Sequence, residues 1–209
     1  MIRFFSLFSI MLLIISCNTP RRQENRDYVY ADQMPEVLYY NGFLVSRPNN
    51  KNWFLLKSQQ EYSYCIFWRM LPESEERNYH TIFFSVESGT ISSNYPKSIE
   101  EFESIIRYNK SHIINTNRFE LKGLNTEKLI KNGLWTIKYK FIVLDKKSPI
   151  ARNVTLTMVN FGEVCQYPYY TNKFVVVDKC VSERGLINDI TYDYIDEYNY
   201  LLDSVKFVK

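Results

Sequence analysis

Thiols, imidazoles and clustered carboxylates are the groups in this chain that could do chemistry. Four cysteines stand at 17, 65, 165 and 180, and the two histidines are His80 and His112. A thiol becomes a nucleophile only when a neighbouring base or charge holds it as thiolate. In a simple hairpin across 71–78, His80 falls nearer Met70 than Cys65, so a Cys65–His80 pair is poorly placed and a buried inert thiol is the better reading of Cys65. Cys165 and Cys180 lie near the ends of two consecutive candidate strands. Antiparallel pairing that set them opposite each other would meet the ~4.4–6.8 Å Cα separation of a disulfide and add a staple of ~2–4 kcal/mol. Two reduced thiols are the alternative.

Metal and cofactor chemistry find little support. The cysteines and histidines show no C-x-x-C, H-x-x-x-H or H-E-x-x-H spacing. Glycine-rich phosphate loops and a G-x-S-x-G elbow are also missing, so no cofactor and no metal are expected. Glu100, Glu101 and Glu103 suit the first turn of a helix, where carboxylates favour the macrodipole. Asp189, Asp193, Asp196 and Glu197 surround a second helix start in the same way. Tyr167-Pro168-Tyr169-Tyr170 falls in a predicted turn. Tyrosine offers large contact area at low entropic cost, so Tyr167, Tyr169 and Tyr170 form a candidate patch for a protein or glycan partner. Arg184, in the polar stretch Ser182-Glu183-Arg184-Gly185, is a candidate anion contact or an ordinary surface arginine.

The elements that must position these groups follow from composition and pattern. The chain has 209 residues, 45% hydrophobic and 23% charged, with 17 Tyr, 14 Phe and a formal charge of +3. That balance describes a globular domain rather than a disordered chain. It also disfavours nucleic acid as a partner, since the charge nearly cancels.

Residues 1–17 read MIRFFSLFSIMLLIISC. Arg3 precedes an uncharged apolar run, Phe4 to Ile15. The run is too short for a bilayer-spanning helix of ~20 residues but suits a secretory h-region of ~7–15. Its ending, Ile14-Ile15-Ser16-Cys17, resembles the lipobox of bacterial lipoproteins. The resemblance implies removal of residues 1–16, lipidation of Cys17 and attachment to the membrane through that lipid. Each buried CH₂ is worth ~0.8 kcal/mol, so several chains hold a protein essentially permanently. Asn18, rather than Asp, after the lipidated cysteine favours the periplasmic face of the outer membrane in a Gram-negative cell. Residues 17–36 are expected to be a flexible tether and 37–209 one domain.

In that domain, Tyr39 to Val45 reads as an opening strand with Gly42 as a bulge, and Trp53 to Leu56 as a short apolar strand. Tyr62–Met70 and Tyr79–Glu87 follow as strands. Ser98-Ile99-Glu100-Glu101 is a capping box, with Ile99, Phe102, Ile105 and Ile106 on one face of a helix reaching about Asn109. Phe119–Lys131 and Leu134–Asp145 flank Asn132-Gly133, the strongest hairpin turn in the sequence. Strands over Val154–Phe161 and Phe174–Cys180 come next. A helix from near Thr191 to Leu202 and a short strand within Ser204–Val208 complete the chain.

This order gives an α+β fold, a central mostly antiparallel sheet with two main helices packed on it. Two fragments, Gly42-Phe43-Leu44-Val45-Ser46-Arg47-Pro48 leading to Trp53 and the closing helix into Leu202-Asp203-Ser204-Val205-Lys206-Phe207, resemble the PsbP-like proteins. That resemblance implies an α/β/α sandwich. The function expected from all of this is a membrane-anchored envelope lipoprotein with a non-catalytic binding or assembly role. The alternative is an envelope hydrolase or thiol enzyme whose site is assembled from distant residues.

Overall fold

The computed structural model describes residues 28–56, 64–69, 79–91, 95–114, 117–149, 151, 153–169, 174–191 and 194–209. The apolar leader, Cys17 and Tyr170 lie outside the described residues. The strands are β1 (Tyr28–Tyr30), β2 (Val37–Tyr40), β3 (Phe43–Ser46), β4 (Trp53–Leu56), β5 (Tyr64–Arg69), β6 (Thr81–Ile91), β7 (Phe119–Lys131), β8 (Leu134–Asp145), β9 (Leu156–Gln166), β10 (Phe174–Gly185) and β11 (Lys206–Phe207). Helix α1 spans Ile99–Ile114 and α2 spans Ile195–Ser204.

Eight strands form one antiparallel sheet in the order β1-β4-β5-β6-β10-β9-β8-β7, and a second sheet has the order β11-β3-β2. The fold is therefore a mostly antiparallel sheet with two helices, richer in sheet than a balanced α+β chain. Alternation along each strand sends successive side chains to opposite faces. One face receives α1, whose Phe102 and Ile106 pack with Ile137, Phe141 and Val143. The other receives α2 and the small sheet, where Tyr198, Leu201, Phe43 and Val45 pack with Trp53, Phe67, Phe84 and Val181.

Local chemistry accounts for the element ends. The Glu101 N–H donates to Ser98 Oγ at 3.3 Å, and the Glu101 carboxylate accepts from Lys97 N at 2.7 Å. The box thus closes one residue earlier than its simplest form. Asn132 (φ 52°) and Gly133 (φ 77°) take the two positive φ angles of a type I′ turn. Gly42 (φ 92°) turns β2 into β3 rather than forming a bulge within one strand. Helix α1 continues to Ile114, past the expected end at Asn109.

The tether expectation is corrected over 28–36. Tyr28–Tyr30 pairs with β4, and Ala31 and Met34 are buried in the core under the small sheet. The folded region therefore includes residues ahead of Val37. The Ser182–Gly185 stretch is likewise the buried end of β10, not a loop.

Candidate functional site

The polar side chains of this fold concentrate on its central strands. β10 pairs with β6 on one side and β9 on the other, so it is covered on both edges and both faces. It nevertheless holds Asp178, Lys179, Ser182, Glu183 and Arg184, all buried. A buried charge is tolerated only when it is paired and hydrogen-bonded, and the pleat sorts these groups into separate clusters.

On the α1 face, Asp178 stands directly opposite Glu87 in the β10–β6 ladder. Lys110 of α1 reaches down to Asp178 Oδ2 at 2.5 Å, and the Tyr139 hydroxyl donates to Asp178 Oδ1 at 2.6 Å. Lys110 Nζ also lies 4.4 Å from the centre of the Tyr139 ring. Gly162 makes this possible. A Cβ there would collide with the Tyr139 phenol on one side and the Lys179 carbonyl on the other. Burial, with the neighbouring Asp178 charge, pushes the Glu87 carboxyl up to about 8 against the opposing pull of Lys110. Burial and the same aspartate hold the Tyr139 phenol well above its ordinary range.

On the α2 face the balance is reversed. Glu163 of β9 accepts from Lys131 Nζ at 2.6 Å and pairs with Lys179 of β10. Lys179 also donates to Leu202 O at 3.3 Å, tying the end of α2 to the sheet. The two lysines outweigh the desolvation of Glu163 and hold its carboxyl below the usual range.

A further row crosses the same face under the first turn of α2. Glu197 accepts from Asn50 Nδ2 at 3.1 Å, from the Trp53 indole and from Arg69 Nε at 3.3 Å. Just ahead of β6, His80 Nε2 lies 2.8 Å from Glu183 Oε1, and the Thr191 N–H donates to the same oxygen at 3.0 Å. A carboxylate that fixes an imidazole supplies two of the three members of a nucleophilic triad. Here the pair is buried, and among the described residues no thiol bonds to the imidazole. Desolvation raises Cys65 and Cys180 to about 12 and Cys165 in the same direction. All three are therefore thiols at neutral pH.

The structure corrects the expected disulfide. Cys165 pairs with Val177, and Cys180 with Gly162. Three positions separate the two cysteines along the ladder, an odd offset that sends their side chains to opposite faces of the sheet. Both are free thiols. Cys65 stands opposite Val86, six residues from His80 along β6, or about 20 Å at ~3.3 Å per residue.

The tyrosine patch divides. Tyr167 is 4% exposed, its ring lies against Gly42 and Phe207, and its hydroxyl donates to Val208 O. It belongs to the core, which corrects its assignment to a partner-facing surface. Tyr169 is 45% exposed. Arg184 is fully buried rather than a surface arginine.

The sequence reading passed over Lys110, Glu87, Asp178, Glu163 and Lys179, and took Glu197 only as a first-turn helix acid. Charged residues inside β9 and β10 read as strand ends, because an interior strand is expected to be apolar. Gly162 between Phe161 and Glu163 was the available signal, since a strand glycine often marks close approach of another group.

Among the described residues no group of three or more His, Cys, Asp or Glu is placed to hold a metal ion. No described helix is long and apolar enough to cross a membrane. No protein-family model matches the chain, and no curated relative is found. Among solved structures the chain is similar to the solution structure of cyanobacterial PsbP (CyanoP) from Synechocystis sp. PCC 6803. The two are 14% identical with a TM-score of 0.41, covering 91% of this chain and 98% of that one.

Proposed function

We propose that this chain is a lipid-anchored protein of the bacterial cell envelope, built on a PsbP-like α/β/α sandwich, with a binding or assembly role and no catalysis. The observation that carries the proposal is the apolar run closed by Ile14-Ile15-Ser16-Cys17. A run of this length suits export and cleavage better than spanning. The state of the reactive groups supports the non-catalytic part. The three thiols titrate above their ordinary range, and the buried carboxylates are engaged with lysines, Arg118, Tyr139, His80 or backbone. The membrane is reached through the lipid on Cys17, at the periplasmic face of the outer membrane in a Gram-negative cell. An envelope protein or glycan is the partner class.

Intact-mass analysis of protein purified from membranes tests the anchor. The expected product begins at Cys17 and carries acyl chains, and Cys17→Ser abolishes both features. Wild-type protein that retains residues 1–16, or lacks lipid, overturns the proposal.

A further inference from the structure

β1 fixes the direction from which the N-terminal chain enters the domain. Tyr30 pairs with Phe54, Phe54 with Trp68 and Trp68 with Phe83. That row continues through Ser182, Asn160 and Phe141 to Leu124 of β7. From Tyr30 back to Tyr28 the chain points the same way as Leu124 to Thr126, toward the Asn132-Gly133 turn. The turn lies six residues beyond that level, about 20 Å at ~3.3 Å per residue. The start of α1 and Tyr169 lie at this same end of the sheet. The stretch from Cys17 to Tyr28 spans at most ~40 Å at full extension. It reaches past this end directly, and can serve the opposite end only by doubling back along the sheet.

The surface at this end is apolar and aromatic. Ile130 is 69% exposed and pairs with Trp135, whose ring lies 6.2 Å from that of Phe174. Phe174 in turn meets the ring of Tyr95, itself 49% exposed. Around the corner, Tyr169 lies beneath the Lys209 ammonium, 5.6 Å from the ring centre. Charge is nearly balanced there, with Lys97, Lys128, Lys131 and Lys209 set against Glu100, Glu101 and Glu163. Amphipathic rings with a polar tip favour the headgroup level of a bilayer. Resting on the anchoring proposed above, we infer that this end of the sheet, with Ile130, Tyr95 and Tyr169 at its surface, docks on the phospholipid headgroup layer. The contact is interfacial rather than electrostatic. A lipid tether keeps the local concentration of bilayer high, so a weak contact is enough.

Two exposed isoleucines at opposite ends provide the test. Ile130 and Ile187 are 69% and 68% exposed, and β10 runs from Phe174 at the docking end to Gly185 beside Ile187. A nitroxide is placed at each position in turn on membrane-tethered protein. Its accessibility to a water-soluble nickel reagent and to lipid-soluble oxygen is then measured on phosphatidylcholine vesicles. Docking predicts a several-fold loss of nickel accessibility and a gain of oxygen accessibility at 130, no change at 187, and no dependence on salt. Ile130 remaining as wet as Ile187, protection at 187 instead, or protection that disappears in high salt would each overturn the inference. Tethering through a histidine tag fused ahead of Asn18 to nickel-chelating lipid repeats the measurement without acylation. Failure of the anchor and failure of the docking are then read separately.

Discussion

The two faces of β9 and β10 place the same kinds of group in opposite proportion. Toward α1, Glu87 and Asp178 share Lys110, two acids to one base. Toward α2, Glu163 sits between Lys131 and Lys179, one acid to two bases. Burial alone would raise every one of these carboxyls. The local count of charges then decides the outcome, and Glu87 goes up while Glu163 goes down. The α1 face can give up negative charge by taking a proton. The Glu163 cluster on the α2 face depends on keeping its one carboxylate ionised.

Gly162 is the position where both faces can be broken at once. Gly162→Ala forces a methyl between the Tyr139 phenol and the Lys179 backbone. The expected loss is above ~3 kcal/mol in chemical denaturation. A loss under ~1 kcal/mol would mean that Tyr139 does not lie across this residue.

Charge removal separates the faces. Glu163→Gln leaves Lys179, itself buried, without its acid. Removing one partner of a buried pair costs ~3–5 kcal/mol. Asp178→Asn is milder, ~1–2 kcal/mol, because Glu87 in the same row ionises beside Lys110 and retains the pairing. Equal losses in the two variants would erase the contrast.

The pH dependence should show both signs. Glu87 has a native value of about 8 against an ordinary 4.5, so the folded state holds an extra proton between those values. Its contribution makes stability fall as pH rises through that window. Glu163 has a lowered value, so its contribution is complete above the ordinary 4.5 and drains away as pH falls. Glu87→Gln should flatten the upper slope and raise stability near pH 8, while the acid limb persists. Urea denaturation at a series of pH values measures this, and an unchanged upper slope would exclude Glu87 as its source.

The smallest effect belongs at the surface. Tyr169→Ser should shift stability by under ~0.5 kcal/mol. Tyr167→Ser, two residues away, should cost ~3–5 kcal/mol, because that ring is sealed between Gly42 and Phe207. Thermal melts of the two variants make the comparison.

What the sequence made legible follows the same division. β7 and β8 were readable to the residue because Asn132-Gly133 sets the turn and Trp135 to Val143 alternates cleanly. β9 and β10 were cut short because their charges find partners only after folding, from α1, β6 and β7. Register was the other missing quantity. Cys165 and Cys180 lie near strand ends in sequence, yet an offset of three along the ladder sets them on opposite faces. β1 was missed because three residues, Tyr28–Tyr30, show too little alternation to distinguish a strand from a linker. Of the candidate site, Tyr169 kept its exposure, while the buried charge clusters left Gly162 as their one local signal.

The shortness of β1 has a mechanical consequence. Tension transmitted along the N-terminal chain enters the domain at Tyr28, where three paired positions join it to β4 at the edge of the large sheet. The β4–β5 and β11–β3 ladders have only two positions each, but β1 is the first paired element that a pull from the N-terminal side meets, and the long ladders, up to the β7–β8 hairpin, lie behind it. Under load β1 therefore yields first, lengthening the chain by a few residues while Trp53 stays locked to Glu197 and α2 stays on the sheet. The edge strand acts as a sacrificial link between whatever pulls on the chain and the core that must stay folded.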